Sequence, residues 1–198
     1  MTCLKWRIVL GVTASLFCFV GLGNGADDVG VDSLSNRTYI HKEAKVALKV
    51  PDDWHVIAPY RLRKSTTSTV LGLERNDPRV VITVIWSPLG NRPFSDIIRT
   101  ADELDDLGDE YATLIAVYGK GKVGRPTSYK SNAFSIYKIL VDDGPEKEGR
   151  NAGALYLFET GSGENKWKVK IRAVYPQLNR EEYIKQVEDV IAQFVTEG

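Results

Sequence analysis

Cysteine is almost absent from this chain of 198 residues, and its two cysteines, Cys3 and Cys18, both fall within the first 26. Everything after Ala26 therefore has no disulfide to staple it and no thiolate to act as nucleophile or metal ligand. Histidine is scarce too. His41 and His55 stand alone, without His-x-x-His or His-Glu-x-x-His spacing, and a zinc site would need both of them plus carboxylates. They read as two solvated loop histidines, and neither a metal nor a cofactor is expected. No Gly-x-Ser-x-Gly elbow occurs to carry a serine nucleophile. Neither sign of charge dominates: 26 Lys and Arg stand against 26 Asp and Glu. Nucleic-acid binding relies on a basic excess, so nucleic acid is not the expected partner. An apolar run of the ~20 residues that a membrane-spanning helix needs is also missing.

What the N-terminus does have is a shorter pattern. Lys5 and Arg7 precede an apolar run from Ile8 to Leu22, small residues lead to Ala26, and no acidic residue occurs before Asp27. That order predicts a secretory signal over 1–26, cleaved after Gly25 or Ala26. Cys18 follows bulky Phe17, whereas a lipidation signal wants a small residue there. The expected localisation is periplasmic or extracellular. Loss of Lys5 and Arg7 tips the remaining charge slightly negative. Residues 27–36 are polar and aperiodic and read as a flexible leader, leaving 37–198 as a single domain, large enough to build a core without disulfides.

Within that domain, Tyr39-Ile40 and Val46 to Val50 predict a hairpin with His41-Lys42-Glu43 at its turn. Pro51-Asp52-Asp53 stops the second strand, and Trp54 resumes an apolar stretch to Ile57. Thr69 to Glu74 is a strand closed by the turn Asn76-Asp77-Pro78. The best strand is Arg79 to Trp86, apolar on both faces and so expected centrally, covered on both sides. Apolar positions three or four apart from Ile97 to Tyr118, interrupted only by Gly108, fit one long helix or a helix plus a second segment, and the long helix is the favoured reading. Three strands follow, over Tyr129–Val141, Ala152–Thr160 and Lys166–Tyr175, the last two joined by a Gly-rich turn at 161–165. A final helix should run from Arg180 to about Val195. Asn179 and Glu182 would form its capping box and Leu178 would staple onto Tyr183. Strands separated by only two helices mean an antiparallel sheet packed with helices, an α+β fold.

This order of elements, with the Pro-x-x-Trp turn at Pro51–Trp54, a strand ending near Trp86 and an amphipathic C-terminal helix, resembles the Mog1/PsbP-like family over roughly Thr38 to Phe194. The resemblance implies an α/β/α sandwich and an accessory, protein-binding role with no shared active site. No catalytic residue is carried over.

Candidate surfaces are basic. Gly119-Lys120-Gly121-Lys122-Val123-Gly124 matches Gly-x-Gly-x-x-Gly by letter, but a dinucleotide fingerprint needs a strand before it and a helix after. Here a helix precedes and Arg125-Pro126 leads into a strand, so the segment reads as a loop whose Lys120, Lys122 and Arg125 could meet an anionic partner. Tyr60, Arg61 and Arg63 form a second candidate, mixing an aromatic with cations as interfaces do. Lys166, Lys168, Lys170 and Arg172 alternate with apolar residues, which places a wet basic stripe on a strand near an edge or incompletely covered. Asp142-Asp143-Gly144-Pro145-Glu146 lacks the alternating spacing of a calcium loop and reads as a hydrated turn. The acidic Asp102, Glu103, Asp105 and Asp106 sit opposite the helix's apolar face. Asn36-Arg37-Thr38 is a glycosylation sequon, relevant only in a eukaryotic secretory pathway. The expected function is a non-enzymatic binding or accessory domain with an unknown, acidic protein partner. A carboxylate-based hydrolase without a recognisable motif is the alternative.

Overall fold

Alternation of apolar and polar residues decides which face of each strand goes inward, and burial follows it closely. The computed structural model describes residues 34–35, 37–57, 63–64, 69–99, 108–142, 144–145 and 147–197. The chain enters through β1 (Leu34–Ser35), β2 (Thr38–His41), β3 (Val46–Lys49), β4 (His55–Val56), β5 (Arg63–Lys64), β6 (Thr69–Arg75) and β7 (Val80–Pro88). Helices α1 (Ser95–Ile98) and α2 (Asp109–Tyr118) follow. Then come β8 (Thr127–Ser131), β9 (Phe134–Val141), β10 (Asn151–Thr160), β11 (Trp167–Pro176), α3 (Arg180–Ile191) and β12 (Phe194–Thr196).

The larger sheet runs β4-β6-β7-β11-β10-β9-β8, with β5 also pairing β6, and a small sheet runs β1-β2-β3-β12. All the registered pairings are antiparallel. Side chains alternate across a strand, so the large sheet has two distinct faces. One carries Ile82, Val84, Trp86, Tyr156, Phe158 and Ile171 into the main core with α3 and the small sheet. Trp86 meets Tyr39 at 4.8 Å between ring centres, and Phe158 meets Phe194 edge-on at 5.3 Å. The opposite face packs Ile139, Leu155 and Leu157 against Ile97, Tyr111 and Leu114 of the first two helices. Trp54 and Trp86 are both buried, as the sequence requires of them.

Several expectations change. The long helix is broken: α1 ends at Ile98, Arg99 is extended, and α2 starts after an extended Gly108. The chain folds back so closely that Gly108 donates its N–H to the Arg99 carbonyl at 2.7 Å, and a Cβ there would lie 2.4 Å from the Ile97 backbone. Continuous apolar spacing hid this because both helices lie on the same face of the sheet. The expected strand over 129–141 is a hairpin, β8 and β9, turning at Asn132 with φ 50°. The Asn132 amide donates to the carbonyls of Ala192 and Phe194, which ties that turn to the C-terminus. Helix α3 stops at Ile191, and Phe194, expected on its inward face, is instead buried in β12 opposite Leu48. β-branched Val195 and Thr196 suit that strand. Asn179 is left-handed and makes no side-chain cap, and Leu178 is largely exposed. Within the expected leader, residues 34–35 pair with β2, whose outer edge offers them backbone partners.

Coverage of β7 is one-sided: Val80, Ile82, Val84 and Trp86 are buried while Val81, Thr83 and Ile85 are half-buried. On that second face β7 is flanked by Lys170 and Arg172 of β11, opposite Ile85 and Thr83, and long charged side chains do not close an apolar layer. The stripe itself is not on an edge, because β11 lies between β7 and β10.

Candidate functional site

The stripe on β11 was expected to be wet, and the structure places a carboxylate over it. Glu110, in the first turn of α2, accepts hydrogen bonds from Lys168 at 2.7 Å and from Lys170 at 2.9 and 3.1 Å. It is the one buried carboxylate among the described residues. Burial pushes its pKa up, but the charges and hydrogen bonds of Lys170 and Lys168 outweigh that and hold it below the ordinary value. Burial likewise holds Lys170 below an ordinary lysine, against the pull of Glu110. Glu110 is thus a fixed counter-ion that fastens α2 to the sheet. No spacing rule in the sequence singles it out, because its partners lie about sixty positions away.

The histidines sit in different sheets. His55 is exposed in β4, but His41 is buried, contrary to the expected solvated loop residue. Its Nδ1 accepts the Ala44 N–H at 3.1 Å, and its ring lies 4.6 Å from Trp167 and 5.6 Å from Trp86. A hairpin turn that folds onto two tryptophans takes its histidine inward. Beneath α3, Lys138 and Glu188 pair at 3.0 Å beside Tyr129 and Tyr156. Burial first, then the Glu188 charge, pushes both phenols far up, so neither can serve as a base.

The Gly119–Arg125 segment keeps the order expected of it, helix then loop then strand. Gly119 ends α2 with φ 88°, and residues 120–122 make one 3₁₀ turn. Val123 bridges to Val141, and Gly124 donates to the Leu140 carbonyl at 2.8 Å. The three candidate cations diverge in role. Lys122 faces Asp142 at 3.9 Å, Lys120 also has an interaction of its own, and Arg125 is exposed beyond the bridge. Of the second candidate group, Tyr60 and Arg61 lie outside the described residues, as do Asp102, Glu103, Asp105 and Asp106. Arg63 is placed by its backbone, opposite Val70.

Arg125 opens into a groove of about 310 Å³ between α1 and β8. Arg99 lines it from the end of α1, with the hydroxyl residues Ser95, Thr127 and Ser128 and the ring of Tyr137. Tyr137 stands opposite Ser128 in the register and packs on Phe94 at 5.6 Å. Neither arginine has a carboxylate or hydrogen-bond partner among the described residues, whereas Arg37, Arg75, Arg79, Arg92 and Arg180 each face one. Sequence reasoning found Arg125 and missed Arg99, which falls within the expected helix near its start.

The architecture has known counterparts. LpqN, a protein involved in cell envelope biogenesis of Mycobacterium tuberculosis, superposes with a TM-score of 0.51 at 15% identity, over 77% of this chain and 83% of its own. The fold is Mog1/PsbP-like. Cyanobacterial PsbP (CyanoP) from Synechocystis sp. PCC 6803 aligns at a TM-score of 0.47 and 14% identity, over 87% of this chain and 97% of its own. No family model and no curated sequence matches. At such identities the Mog1/PsbP-like likeness is one of fold alone. Among the described residues no helix is long and apolar enough to cross a membrane.

Proposed function

We propose that this chain is an exported, non-enzymatic accessory domain that holds an acidic partner protein through the basic corner around Arg99 and Arg125. The observation that carries the reading is that these two guanidinium groups line one groove without a counter-ion among the described residues, where other cations are so often paired. A local positive field on a near-neutral protein steers acidic partners and weakens with salt. The signal pattern over 1–26 supports export, and LpqN, which shares the fold, is involved in cell envelope biogenesis.

Reversing charge at the corner tests the reading. The double variant Arg99→Glu, Arg125→Glu should lose capture of the partner from native extract while melting like the parent, since both positions are exposed. Full capture by the folded variant would remove the corner from the interface. The export reading has its own check: N-terminal sequencing of protein from the native compartment should begin at Ala26 or Asp27, and an intact Met1 would contradict it.

A further inference from the structure

We propose that the groove between α1 and β8 is a phosphate subsite, which takes a phosphate monoester whose organic part lies against Tyr137 and Pro126. The proposal takes its location from the basic-corner reading and adds the chemistry of what is recognised. Its first ground is the donor inventory. Arg99 and Arg125 each present a planar fork of N–H donors, and Ser95 and Ser128, the latter on the same face as Tyr137, each add a hydroxyl. Among the described residues no carboxylate lines the groove. Neither hydroxyl makes a side-chain hydrogen bond to described residues, and the Thr127 hydroxyl, on the other face of β8, donates to the Lys138 carbonyl.

Two forks and two hydroxyls are more donors than the two oxygens of a carboxylate use well. A phosphate monoester presents three strong acceptor oxygens and about −1.5 to −2 charge at neutral pH, and arginine forks match its geometry. The second ground is rigidity. Thr127 and Ser128 are registered on β9, and Arg125 follows the Gly124–Leu140 hydrogen bond of 2.8 Å. The Tyr137 ring is braced by Phe94. Donors held this way lose little freedom on binding. The third ground is size. A groove of about 310 Å³ lies at the small end of ligand sites, roughly 300–1,000 Å³, which suits one phosphorylated side chain or a small phosphate ester.

Titration calorimetry with phenyl phosphate, inorganic phosphate and benzoate tests this on the folded protein. Phenyl phosphate should bind most tightly, inorganic phosphate less because it lacks the ring, and benzoate least. Arg99→Gln and Arg125→Gln should each weaken phenyl phosphate by about tenfold, the loss of one charge-assisted hydrogen-bonding group, with an unchanged melting temperature in its absence. Binding of phenyl phosphate that both variants retain, no binding at millimolar concentration, or benzoate bound as tightly would each overturn the subsite. The same variants separate it from the docking reading. Phenyl phosphate lost with partner capture intact keeps the subsite and overturns docking. Capture lost in a protein that never binds phenyl phosphate does the reverse.

Discussion

Glu110 shows how one residue can change the meaning of a sequence pattern. Four alternating cations on β11 suggest a wet stripe, yet the Lys168 and Lys170 side chains are only 18% and 14% exposed once Glu110 bridges them. Replacing Glu110 with Gln leaves two sequestered ammonium groups facing each other, and should cost about 3 kcal/mol, the low end for breaking a buried pair from one side. The pH dependence has a definite sign. The folded carboxyl lies below its ordinary value of 4.5, so its stabilisation is complete above that value and drains away as pH falls through the folded pKa. Lys170, also held low, opposes folding while charged, and that cost fades only at alkaline pH. Denaturant melts between pH 7 and pH 3 should show a steep acid loss in the parent and a flatter one in Glu110→Gln. Parallel curves would mean that Glu110 is not the group responsible. Arg37 works at the same scale: its guanidinium donates to the carbonyls of Val50, Pro51 and Trp54. That set of bonds shapes the Pro-x-x-Trp turn, which was legible in the sequence while the residue holding it was not.

At the scale of elements, the segments with strong two-residue alternation were readable and those that depend on distant partners were not. Arg79–Trp86 and the pair joined at Gly161 appear as β7, β10 and β11, and Gly161, with φ 77°, lies where a Cβ would meet the Asn165 carbonyl oxygen at 2.1 Å. The break between α1 and α2 escaped detection because helical spacing continues across it, and a glycine in a helical pattern is ambiguous on its own. Its meaning lies in the contact with Ile97. Gly108→Ala should therefore force the two helices apart and cost about 1–3 kcal/mol, the usual range for overpacking. A continuous helix would instead gain from alanine by roughly 0.5–1 kcal/mol, so a thermal melt distinguishes the two by sign. The same break decides the site. With one long helix the chain would continue helically through Arg99; with two, Arg99 ends α1 and lines the groove with Arg125. Half of the groove was thus legible as a basic loop, and the other half depended on where a helix stopped.

For the whole molecule, the layers explain why a binding corner falls where it does. The main core is closed by α3 and the small sheet, and among the described residues the other face is covered by α1 and α2, over β9, β10 and part of β11. At the boundary of that cover, beside the edge strand β8, side chains are held firmly by the sheet yet remain open to solvent. The central claim is that a partner docks there, and site-specific photo-crosslinking in native extract tests it most directly. A photoreactive residue at Ser128, in the groove, should give one salt-sensitive protein adduct that disappears when Arg99 and Arg125 are both changed to Glu. The same residue at Glu181, exposed on α3, should give none. An adduct from Glu181 alone, or one from Ser128 that survives loss of both arginines, would contradict the account.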